Sequence, residues 1–144
     1  MKEINQIPDS KENRRMYYEI WQRYKAGEEL EGEEKTTAEL MAQHTDWYDF
    51  WESTDFDKEF DPETNEFNPF LHLVFDTIIT NQINENSPKQ ARFTYNKLTA
   101  RGYSHLDAIH RMAGIFLEEF FPVMKYGKVF NEEAYASKLK GLKD

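Results

Sequence analysis

Apolar residues recur along this chain at intervals of three and four and hardly ever at intervals of two, so the elements it predicts are helices. From Ser10 to about Ala26, Tyr17, Ile20, Trp21 and Tyr24 share one helical face, with Asp9 and Glu12 set as a capping box and Gly27 as the stop. Leu40, His44, Trp47, Tyr48 and Trp51 carry the same spacing through a second helix near 33–52, closed by Ser53 and Thr54. Asn68-Pro69 pairs an N-cap residue with proline at the first helical position and opens a third helix with Leu71, Phe75, Ile78 and Ile79 on its apolar face. Ser87-Pro88 repeats that signal for a fourth, in which Ala91, Tyr95 and Leu98 lead to a glycine stop at Gly102. Ser104 with Asp107 starts a fifth, whose period runs through Leu106, Ile109, His110, Ala113, Leu117, Phe120, Phe121 and Met124, across Pro122, to Gly127. A short sixth helix from Asn131 to about Lys140 ends the series. The expected fold is all-α: a single-domain, irregular helical bundle of five to six helices over residues 1–144, with 1–9 as a flexible N-terminus and 53–67 as an acidic, aromatic loop.

Composition narrows the function classes. At 144 residues the chain is long enough to bury a core without staples, and it has no cysteine, which removes disulfides, thiolate metal sites and cysteine nucleophiles together. There is no apolar run of signal-peptide or membrane-spanning type, so a cytoplasmic protein that does not enter the membrane is expected. The net charge is −9, against a nucleic-acid partner, because binding to phosphate backbone depends on Lys and Arg. That charge is uneven. Residues 1–67 hold 19 acidic and 8 basic side chains, net −11, whereas residues 68–144 hold 8 and 10, net +2.

The near-neutral half is where chemistry is sought. His72 and Asp76 stand i, i+4 on the third predicted helix and so point the same way, about 6 Å apart, a spacing that suits one metal ion. His110 and Glu118 lie two turns apart on the fifth, on roughly one face, and His44 lies on the apolar side of the second. If these helices pack together, His44, His72, Asp76, His110 and Glu118 form a mixed imidazole and carboxylate set of the kind accepted by a divalent transition metal such as zinc, iron or manganese. The same residues also suit plain core histidines bonded to backbone carbonyls, beside carboxylates that are solvated or paired with arginine. His105, in the first turn of its helix, is expected to face solvent.

Two features of the acidic half compete with that site. Asp55, Asp57, Glu59, Asp61, Glu63 and Glu66 fall at positions 1, 3, 5, 7, 9 and 12 of a calcium-loop frame, but Phe60 stands where that loop needs glycine. The interleaved acids and rings of residues 46–70 also suit a non-enzymatic module for protein–protein interaction, with rings as anchors and carboxylates steering toward a basic partner. A loop that buries its own Phe56, Phe60 and Phe67 is the alternative. No glycine-rich phosphate loop, Gly-x-Ser-x-Gly elbow, His-Glu-x-x-His or Glu-x-x-His pair occurs, and Asp107-x-x-His110 reads as a cap. Nothing in the residues selects a reaction.

The run Asp61-Pro62-Glu63-Thr64-Asn65-Glu66-Phe67-Asn68-Pro69-Phe70-Leu71-His72-Leu73, and within it Asn-Pro-Phe-Leu-His-Leu, resembles a family of small bacterial proteins, domain of unknown function 1841. Ala26-Gly27-Glu28 after the aromatic first helix, His44, Gln82, His110 and Glu118 fit in order, so the resemblance runs from about Tyr17 to the last helix. It implies a compact helical protein whose histidine positions are the place to look. The family pattern has a second His one turn after His72, another shortly after His44, and a Glu one turn after His110; Asp76, Tyr48 and Gly114 stand there. Asp76 keeps a ligand and the other two remove one each.

Overall fold

The structure is a computed structural model and describes residues 11–58 and 68–142. Among the described residues there are seven α-helices, one 3-10 turn and no strand, so the protein is all-α. The backbone divides into two compact units, with the boundary between Thr77 and Ile78. It falls inside one continuous helix.

The first unit contains α1 (Lys11–Lys25), α2 (Gly32–Gln43), a 3-10 turn (Thr45–Trp47), α3 (Tyr48–Glu52) and the beginning of α4 (Pro69–Glu85). Tyr17, Ile20 and Trp21 of α1 are buried as their spacing predicts, while Tyr24 is exposed. Gly27 ends the helix with a φ of +83°, a conformation that costs glycine nothing. Of the capping box expected from Asp9 and Glu12, Asp9 lies outside the described residues. Trp51 is the keystone of this core. It is 1% exposed, donates its indole N–H to the Met41 carbonyl at 2.9 Å and meets Phe70 edge-on at 5.4 Å, while Tyr17 stacks on the other side of Phe70. At the surface of the unit the Lys25 ammonium holds the Glu52 carboxyl below the usual carboxylate range, and the Trp21 indole N–H adds a hydrogen bond at 2.6 Å.

The second predicted helix is broken. Instead of one helix over 33–52, α2 stops at Gln43, His44 takes a non-helical conformation with φ −89° and ψ 73°, and the chain resumes through the 3-10 turn into α3. Apolar spacing could not show this, because the same period continues across the break.

The second unit contains the rest of α4, then α5 (Lys89–Ala100), α6 (His105–Tyr126) and α7 (Glu132–Lys140). Across both units three helix starts are capped by side chains, at the residues where the sequence places the helix openings. Asn68 Oδ1 accepts from the N–H groups of Phe70 and Leu71 at the start of α4, Ser104 Oγ from Asp107, and Asn131 Oδ1 from Ala134. The exception is α5, whose N-cap is Pro88 rather than Ser87 and makes no side-chain cap. Phe116 centres this core, with the rings of Phe120, Phe130 and Tyr135 each within 5.5 Å of its own. Thr94 ties α5 to α7 by donating to the Leu139 carbonyl at 2.8 Å. Tyr135 donates to the Gln82 amide oxygen, and burial pushes its phenol well above the ordinary tyrosine value.

Along α6 the buried line differs from the expected one. Ala108, Ile109, Met112, Ala113, Phe116, Phe120 and Val123 are buried, whereas Leu117, Phe121 and Met124 are exposed. Neighbouring residues should therefore respond differently. Phe116→Ala is expected to cost about 3–5 kcal/mol of unfolding free energy and Leu117→Ala under about 1 kcal/mol, measured by urea unfolding; similar losses would place the core on the wrong face.

Candidate metal centre

The break after α2 aims an imidazole. At the C-cap, the His44 backbone N–H reaches the Leu40 and Met41 carbonyls, each at 3.3 Å, and its ring Nδ1–H donates to the Leu40 carbonyl at 2.7 Å. A carbonyl only accepts, so this bond puts the proton on Nδ1 and leaves Nε2 to face away from α2. His44 is 6% exposed. Its Nε2 lies 3.1 Å from Oδ2 of Asp76, a carboxylate with no solvent exposure. On α4, the i, i+4 spacing brings His72 Nε2 to 3.3 Å from the same oxygen, with the His72 side chain 30% exposed. One carboxylate oxygen thus lies between two imidazole nitrogens, and the three residues each offer a ligand atom within 4.8 Å of the others.

With Nδ1 of His44 committed to Leu40, Nε2 and the Asp76 oxygen are two acceptors at 3.1 Å, which repel unless positive charge joins them. That charge is a proton shared between ring and carboxyl, or a metal ion. The spacing suits an ion: ligand atoms around a tetrahedral zinc with bonds of about 2.0–2.1 Å stand roughly 3.3–3.4 Å apart. Trp47 completes the surroundings. Its indole stacks on His44 at 4.3 Å and 12°, and meets His72 edge-on at 5.0 Å.

Of the five expected site residues, His44, His72 and Asp76 come together within the first unit. His110 lies half-buried on α6 in the second unit. Glu118 corrects the expectation of a shared face with His110. Eight residues at 100° each place it about 80° round the helix from His110, and its exposed carboxylate stands 3.6 Å from Lys138 Nζ. Tyr48 turns toward α1, its hydroxyl donating to the Ala42 carbonyl and its ring 5.0 Å from Trp21. His105 is exposed as expected, with Nδ1 2.8 Å from the Tyr95 hydroxyl. Trp47 was visible in the sequence only as an apolar position; its place three residues after His44 was the available signal.

The competing features are only partly described. In the calcium frame Asp55 and Asp57 are exposed, and Glu59, Asp61, Glu63 and Glu66 lie outside the described residues. In the acidic, aromatic segment Trp51 and Phe70 are core residues, and Phe56 is half-buried, edge-on to Tyr18 at 5.6 Å; Phe60 and Phe67 lie outside the described residues. No helix among the described residues is long and apolar enough to cross a membrane.

Helices alone, with a buried cluster of histidine and aspartate where one helix breaks, define an all-α protein with a centre of metal-binding composition. The chain belongs to the family described as Domain of unknown function (DUF1841), whose model matches residues 9–141. No curated protein and no solved structure matches it.

The two imidazoles are unequal in burial, which gives an ordering. His44→Ala, which strips a fully buried partner from a buried carboxylate, is expected to cost about 3–5 kcal/mol. His72→Ala should cost less, because water reaches that side. Urea unfolding of both variants checks this, and an equal or reversed order would mean that burial does not set the cost.

Proposed function

We propose that this protein is a small cytoplasmic metal-binding protein, holding a divalent transition metal, zinc, iron or manganese, through His44 Nε2, His72 Nε2 and Asp76. The carrying observation is that the Leu40 carbonyl accepts the Nδ1–H of His44, so that Nε2 faces a buried carboxylate. Two imidazoles and one carboxylate match the borderline preference of zinc and iron, and a backbone carbonyl bonded to the far nitrogen of a ligand histidine is a usual way of fixing its tautomer. Glu118 is left out of the ligand set, because its carboxylate is exposed beside Lys138. A protein-docking role for segment 46–70 gains less support, since Trp51 and Phe70 are spent on the core.

Protein purified without chelator or a histidine tag and loaded with zinc should carry about one ion per chain by elemental analysis. Asp76→Ala and His72→Ala should each weaken binding at least roughly tenfold. Acidification should release the ion, because imidazole ligates only in its neutral form. A wild-type protein with no stoichiometric metal, or Asp76→Ala binding as tightly as wild type, would overturn the proposal.

A further inference from the structure

We infer that Trp47 is a positioning residue that fixes the planes of both ligand imidazoles and so decides which ions the centre accepts, an inference that rests on the metal-binding proposal above. A metal bonds to imidazole in the plane of the ring, along the Nε2 lone pair, so whatever sets the ring plane sets the direction of the bond. The His44 ring is clamped twice: its edge by the hydrogen bond to Leu40, its face by the near-parallel indole of Trp47. The His72 ring meets the same indole edge-on, at 82°. One side chain therefore holds two imidazoles at 79° to each other with centroids 5.9 Å apart.

The indole is itself held. The Trp47 backbone N–H donates to the His44 carbonyl at 3.0 Å inside the 3-10 turn, so the break that aims His44 also places the residue whose ring clamps it. Behind it, Trp51 packs edge-on at 6.2 Å and is anchored to the Met41 carbonyl. From α2 to the two imidazoles there is a continuous chain of packed rings, and rigid support of this kind is what holds ligands within the narrow tolerance a metal needs.

Two imidazole nitrogens held in fixed directions beside a single carboxylate favour an ion content with few ligands in a tetrahedral set, such as zinc or cobalt(II). Among the metals proposed above manganese, which prefers six oxygen-rich positions, should be held most weakly. Without the indole His72 can swing and water can add, so selectivity should fall more than binding itself.

The test is cobalt(II) titration of the wild type, Trp47→Leu and Trp47→Phe, followed by visible absorption, with zinc and manganese affinities measured beside it. Helicity by circular dichroism confirms that each variant is folded, and leucine, which retains apolar volume, is chosen over alanine for that reason. The wild type should show the intense visible bands of tetrahedral cobalt. Trp47→Leu should still bind cobalt, with weakened bands, and should lose at least about tenfold of the preference for zinc over manganese. Trp47→Phe, which keeps a flat face against His44, should recover most of the wild-type spectrum. An unaltered spectrum and preference in Trp47→Leu would show that Trp47 only packs, overturning the inference while leaving the metal centre standing. A wild type that binds no cobalt and no zinc would overturn both.

Discussion

The Asp76 carboxylate has no contact with solvent, and a buried anion is tolerated only where positive charge and hydrogen bonds compensate it. Much of the first unit can be understood from that demand. Asp76 sits on α4 among apolar residues of high burial, Leu73, Val74, Phe75 and Ile79, and His72, one turn back on the same helix, turns an imidazole nitrogen toward it. The other imidazole comes from the end of α2, and it can reach inward only because the helix gives up its regular geometry at His44. The forfeited helical bonds are partly replaced by the ring itself, which returns a hydrogen bond to the Leu40 carbonyl. The break, the tautomer and the direction of Nε2 are one local event.

The high aromatic content also acquires a purpose. Aromatic side chains make up 15% of a strongly charged sequence, and many of the largest build two separate cores, Tyr17, Trp47, Trp51 and Phe70 in the first unit and Phe116, Phe120, Phe130 and Tyr135 in the second. Rings lose little rotamer freedom relative to the area they bury, and flat faces constrain neighbouring flat groups. The acidity is separate from the site: the glutamates and aspartates of residues 1–67 whose burial is described are exposed, whereas Asp76 comes from the nearly neutral remainder.

How much could be read in advance differs by feature. The i, i+4 pair on α4 was legible because helix geometry fixes it, and so were the caps at Asn68 and Ser104, whose side-chain chemistry acts within three residues. The break at His44 was hidden, since Leu40, His44, Trp47, Tyr48 and Trp51 keep a helical period across it and its cause is a hydrogen bond between ring and backbone. On α6 the run Ile115 to Met124 is apolar on two adjacent faces, so period alone could not choose Phe116 and Phe120 over Leu117 and Phe121. Glu118 was misplaced by a similar tolerance: two turns are not quite eight residues, and the difference carries it round to Lys138.

A crystal structure of the protein grown with zinc, with anomalous data collected on both sides of the zinc edge, tests the central claim most directly. Expected is one strong anomalous peak within about 2.0–2.2 Å of His44 Nε2, His72 Nε2 and an Asp76 oxygen, with Nδ1 of His44 still donating to Leu40. Nε2 of His44 and the Asp76 oxygen remaining at hydrogen-bond distance, with no peak between them under saturating zinc, would contradict it and leave the cluster as a buried ion pair.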